Sequence, residues 1–75
     1  MSRIKELRMN YGYTQVRIQL ETGIDQSNYS KIERGIREPT FSECKMLALL
    51  LDTSMDYIAG LTDEIKAYPR ANKTL

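Results

Sequence analysis

The sequence predicts an all-α fold: a compact five-helix bundle with a tightly turned helix pair at its centre. Three observations carry that expectation. Apolar residues recur at helical spacing through most of the chain, with no strand signal between them. Glycines 12, 23, 35 and 60 each fall just past a predicted helix end, and none interrupts an apolar period. Hydroxyl or carboxylate side chains stand where helix starts need caps, at Ser2, Thr14, Asp25, Thr40 and Ser54.

The first helix spans residues 3–10, with Ile4 and Leu7 on its inner face and Tyr11 or Gly12 as its stop. Thr14 caps the second, to which Val16, Ile18 and Leu20 supply the apolar residues. Gly23 breaks that pattern, because a chain reversing within three or four residues needs one of them at positive φ. Asp25 caps the third helix, which runs to about Arg34. Tyr29 and Ile32, with Ile24 as a staple ahead and Ile36 beyond, give it one apolar edge. The opposite edge carries Gln26, Ser27, Asn28, Ser30 and Lys31 and no glutamate. Such a face is suited to a surface rich in hydrogen-bonding edges, as the DNA major groove is.

Thr40-Phe41-Ser42-Glu43 is a capping-box sequence that opens the fourth helix after the loop 36–39. Phe41, Cys44, Leu47, Ala48 and Leu51 then share one face, while Met46, Leu49 and Leu50 widen the apolar surface. Ser54 caps a short fifth helix that stops at Gly60, and Asp63-Glu64 reads as a solvated helix end. The expected domain is 1–64. Residues 65–75, with Pro69 and few apolar side chains, read as a tail that is loose or ordered by a partner.

Seventy-five residues bound the chain to one domain with a single core. No 18-residue apolar run exists, the N-terminus lacks a signal peptide's apolar segment, and the single cysteine, Cys44, fits a reducing cytosol. A cytoplasmic location with no membrane partner is the expectation. The charge is segregated: residues 1–37 carry seven Lys or Arg against four acids, and 38–64 carry one against six. The tail adds three bases, so a basic half faces phosphate and an acidic half points away. With no histidine, Cys44 has no activating base and reads as a core thiol. No metal cluster, glycine-rich phosphate loop or serine triad is present, so neither an enzyme nor a cofactor is expected.

The ordered set Thr14-Gln15, Gly23-Ile24, Ser30-Lys31-Ile32-Glu33-Arg34-Gly35, Pro39-Thr40 and Ser54-Met55-Asp56-Tyr57-Ile58-Ala59-Gly60 resembles the phage-repressor (Cro-type), lambda-repressor-like helix-turn-helix family. The resemblance covers roughly residues 3 to 63. It implies a sequence-specific DNA-binding regulator, expected to be a repressor, that reads double-stranded DNA with the helix 25–34. Gln26 is the first candidate base reader, because a glutamine bonds adenine bidentately; Ser27, Asn28 and Lys31 lie on the same outward face. Gln15, at the amide-rich start of the second helix, is placed on phosphate by both its position and the resemblance. Ser30, Arg17, Arg34 and Arg37 complete the phosphate candidates, which fix register without reading sequence. Arg8 and Glu33 occupy positions that the family pairs as a partly buried ion pair, a structural role.

Three departures stand out. Gln19 replaces a small residue between the motif helices, so it must turn outward or widen the gap. Asp52 replaces the glycine or asparagine that often ends the fourth helix, and Tyr13 stands where a leucine usually enters the core. One such helix makes few base contacts, so a homodimer on a palindromic operator is expected, with half-sites about 34 Å apart. Leu49, Leu50, Met55, Ile58 and Leu61 are the candidate dimer surface. The alternative is an antitoxin or anti-repressor whose main task is binding a protein partner through the acidic half.

Overall fold

Local capping chemistry sets the boundaries of the helices. The computed structural model describes residues 3–69, with helices α1 (Arg3–Asn10), α2 (Gln15–Thr22), α3 (Gln26–Glu33), α4 (Phe41–Leu50) and α5 (Met55–Ala59). No strand occurs among the described residues. The Arg17 amide donates to Thr14 Oγ1 at 3.0 Å, and the Ser27 and Asn28 amides donate to the two Asp25 carboxylate oxygens at 3.2 Å. Thr40 and Glu43 form the reciprocal capping box, at 3.2 and 2.9 Å, and Ser54 Oγ accepts from the Tyr57 amide at 2.9 Å. Ser2 lies outside the described residues.

Between α2 and α3 only three residues turn the chain. Gly23 sits at φ +78°, its amide donating to the Gln19 carbonyl at 2.8 Å, which closes α2 in the left-handed conformation glycine adopts without strain. Ile24 follows as a buried side chain, and the Thr22 hydroxyl donates back to the Ile18 carbonyl at 2.7 Å. The angle between the two helices is thus fixed by a buried residue and capped ends. Gln19 turns outward and is exposed.

The core is Ile4, Leu7, Ile18, Ile24, Tyr29, Ile32, Leu47 and Leu51, with Tyr13, Leu50, Tyr57 and Ile58 packed against it. It joins α2 to α3 and α4, α1 to α3, and α4 to α5. Each such aliphatic side chain contributes about 1.5–3 kcal/mol on full burial. Cys44 is also buried, with no disulfide, and burial pushes its thiol up, away from reactivity.

Several side chains depart from the expected faces. Of the alternating set on α2, only Ile18 is buried, while Val16 is 51% and Leu20 76% exposed. Residues two apart on a helix stand about 200° apart, so the three could not share one face. Phe41 is 75% exposed: it is the first residue of α4, where a side chain leans back beyond the helix start. Ile36 is also exposed, because the chain leaves α3 through Gly35 and carries it off the apolar edge. Asp63 and Glu64 belong to no helix; Asp63 pairs with Arg3 at 2.6 Å in an exposed loop.

The beginning of the segment 65–75 is held to the bundle. The buried Thr53 hydroxyl donates to the Ile65 carbonyl at 2.6 Å, and the Tyr68 hydroxyl donates to Asp56 Oδ2 at 2.6 Å. Arg3 ties the opposite terminus to the same end, donating to the Tyr57 and Thr62 carbonyls at 3.0 and 2.5 Å. Its guanidinium also lies 4.5 Å from the Tyr57 ring centroid. Residues 70–75 lie outside the described residues.

Candidate nucleic-acid interface

The site is built on the polar face of α3. Gln26, Ser27 and Lys31 are exposed, and Asn28 and Ser30 are half-exposed, while Tyr29 and Ile32 on the opposite face are buried. The helix therefore packs its apolar face on the core and turns its hydrogen-bonding side chains outward. Asp25 caps its start and leaves the amide-rich end next to Gln26 and Ser27.

At the far end of α3 sits a buried charge. The Glu33 side chain is 3% exposed and accepts from Arg8 through both carboxylate oxygens: Arg8 Nε donates to Oε2, and Nη2 to Oε1 at 3.3 Å. Arg8 Nη1 also donates to the Tyr13 carbonyl at 2.8 Å, which fixes the turn between α1 and α2. The Gln15 side-chain amide then donates from Nε2 to Glu33 Oε1 at 3.0 Å. One carboxylate thus joins α1, the first residue of α2 and the last residue of α3. Burial pushes the Glu33 carboxyl up, but the hydrogen bonds it accepts, Arg8's foremost, outweigh that and hold it below the usual range. The neighbouring Tyr29 hydroxyl is pushed far up by its burial and by the Glu33 charge, so it stays neutral.

The Gln15–Glu33 bond is absent from the sequence reading, which sees Gln15 only as a helix start. A groove of about 580 Å³ runs beside this cluster, lined by Lys5, Glu6, Arg8, Met9, Gln15, Ser30, Glu33 and Arg34. Gln15, Ser30 and Arg34 thus share one groove. Lys5, unassigned from sequence, joins them; its spacing of three from Arg8 on α1 was the available signal.

The other basic candidates lie differently. Arg17 is paired with Glu21 at 2.9 Å along α2, and its guanidinium lies 5.0 Å from the Tyr13 ring centroid. Arg37 donates to Glu43 at 3.0 Å, which links the loop after α3 to the start of α4. Of the candidate dimer residues, Leu49 and Leu61 are 56% and 78% exposed, while Leu50 and Ile58 pack against the core and Met55 is half-buried.

Two short helices at a capped three-residue turn, the second presenting a polar face, are a recurring DNA-reading arrangement. A helix-turn-helix family model matches residues 4–58, which take in all of α2 to α4 and most of α1 and α5. The chain belongs to the helix-turn-helix family, of the Cro/C1 type. Among curated proteins it is similar to the uncharacterized HTH-type transcriptional regulator YobD of Bacillus subtilis (strain 168). The two are 36% identical over 62 residues, which make up 83% of this chain and 55% of that protein. The helix-turn-helix chain thus spans about half the length of that relative. No solved structure matches it. No helix among the described residues is long and apolar enough to cross a membrane.

Proposed function

We propose that this helix-turn-helix domain is a sequence-specific DNA-binding transcriptional regulator, a repressor acting as a twofold dimer on a palindromic operator. The observation that carries the reading is the exposed polar face of α3, with Gln26, Ser27 and Lys31 open beside half-exposed Asn28. A helix inserted in the major groove directs such N-terminal side chains at base edges, with Gln26 suited to adenine and Lys31 to guanine. Gln15, Ser30 and Arg34, grouped along one groove, serve the flanking phosphates. Arg37 is left out of that set, because Glu43 already engages its guanidinium, and Arg17 is a minor member for the same reason. Family membership and the relative's printed role as a transcriptional regulator support the same reading. Leu49 and Leu61, with Met55 between them in sequence, offer the dimer surface.

Selection from random duplex DNA tests it. The expected outcome is a palindromic consensus, with binding lost on Gln26→Ala or Lys31→Ala and a linear fall of log affinity with log salt. A steep salt slope with no consensus would leave only non-specific phosphate binding. Sedimentation at micromolar concentration checks the dimer, and a strict monomer over that range would remove it. Exposed Leu49 and Leu61 in the acidic half favour a second reading, an antitoxin or anti-repressor that binds a protein partner there. A stoichiometric protein partner together with weak DNA binding would favour that reading.

A further inference from the structure

A carboxylate beside a phosphate seat is electrostatically wrong unless something else compensates for it. Glu33 is such a carboxylate, since it lines the same groove as Gln15, Ser30 and Arg34. Its charge is met by Arg8, and its Oε1 also takes one N–H of the Gln15 amide at 3.0 Å. Only the nitrogen of that amide can donate to a carboxylate, so the bond fixes which way the amide faces. A primary amide has two N–H groups about 120° apart, and the bond to Glu33 occupies one of them. Gln15 lines the groove, and the second N–H, set at about 120° to the first, cannot serve the same carboxylate oxygen. A glutamine without such a tether samples many rotamers and presents its carbonyl oxygen, which a phosphate repels, as readily as its nitrogen.

We propose that Glu33 is a positioning residue: it holds one N–H of Gln15 so that the other meets a DNA phosphate, while Arg8 cancels its charge. The proposal rests on the DNA-binding reading above and goes beyond stability, which is what a buried ion pair by itself would supply.

A double-mutant cycle on DNA affinity tests it, with the best selected duplex as the probe. Replacing the ion pair by apolar side chains of similar volume, Arg8→Met with Glu33→Leu, removes the carboxylate without stranding the arginine, and such exchanges are often tolerated. Gln15→Ala is expected to weaken binding about tenfold in the native background, the value of one hydrogen bond to a charged group. In the Arg8→Met/Glu33→Leu background the same change is expected to weaken it by less than about twofold, because the amide is no longer held. Equal losses in both backgrounds would overturn the proposal, since a purely structural pair leaves the Gln15 contribution untouched. If the native chain binds no DNA, the functional reading and this proposal fall together. Should the paired variant not fold, side-chain amide NMR of the native protein decides. The expected result is one Gln15 amide proton shifted downfield of those of exposed Gln19 and Gln26, and exchanging more slowly, both free and on DNA. Gln15 resonances matching those two would overturn it.

Discussion

Glu33 and Arg8 are nearly sealed from water, with side chains 3% and 13% exposed, so each depends on the other for its charge. Glu33→Ala strands the arginine, which typically costs about 3–5 kcal/mol. In a domain of this size each kcal/mol moves Tm by about 4–8 °C, so the fall exceeds about 10 °C. A melting curve followed by circular dichroism checks it, and an unchanged curve would refute the buried pair. Stability also depends on pH through the same group. Glu33 is held below the ordinary carboxylate range, and so is Glu43, by the hydrogen bond from Arg37 and the backbone amide of Thr40. A depressed folded value means the stabilisation is fully present above the unfolded value of about 4.3 and is lost as pH falls through the folded values. Tm is therefore expected to be flat from about pH 8 to 5 and to drop below about pH 4. A Tm that rose on acidification to pH 3 would contradict this.

At the scale of the element, the turn between α2 and α3 sets where the reading helix points. Gly23 lies at φ +78° with open space around its missing Cβ, so a substitution there meets conformational strain without a clash. Gly23→Ala is expected to cost about 1–2 kcal/mol, read as a fall in Tm of several degrees at unchanged secondary structure. A Tm equal to that of the native chain would show that the turn relaxes. The caps at Thr14, Asp25, Thr40 and Ser54 were legible in the sequence because a cap is chemistry between residues two or three apart. The exposure of Ile36 and Phe41 was not, because an apolar residue is buried only where another element covers it; helix spacing sets Val16 and Leu20 opposite Ile18, but not which side is covered.

At the scale of the molecule, the two ends of the described chain meet at α5. Arg3 clasps the carbonyls of Tyr57 and Thr62, while Ile65 and Tyr68 fold back onto Thr53 and Asp56. Ending the chain after Glu64 removes the acceptor of a fully buried hydroxyl and the partner of Asp56. The expected loss is about 1–3 kcal/mol, measured as a lower midpoint in urea. A truncated chain with the native midpoint would return residues 65–69 to the status of a loose tail. The same comparison by sedimentation would show whether that segment also supports dimerisation, since Met55, Leu49 and Tyr68 line one groove.

The sequence by itself determined the number and type of helices, their caps, the position of the sharp turn and the polar composition of α3. All of these rest on interactions within a few residues, whose partners the local order of the chain supplies. The tertiary structure alone decided which apolar side chains are covered, that Ile65 and Tyr68 are hydrogen-bonded to Thr53 and Asp56, and that Arg37 is engaged by Glu43. It also decided that Gln15 belongs to Glu33, a residue 18 positions away. These depend on groups distant in sequence meeting in space, and the spacing of residues along the chain carries no record of where a side chain's partner on another helix will stand.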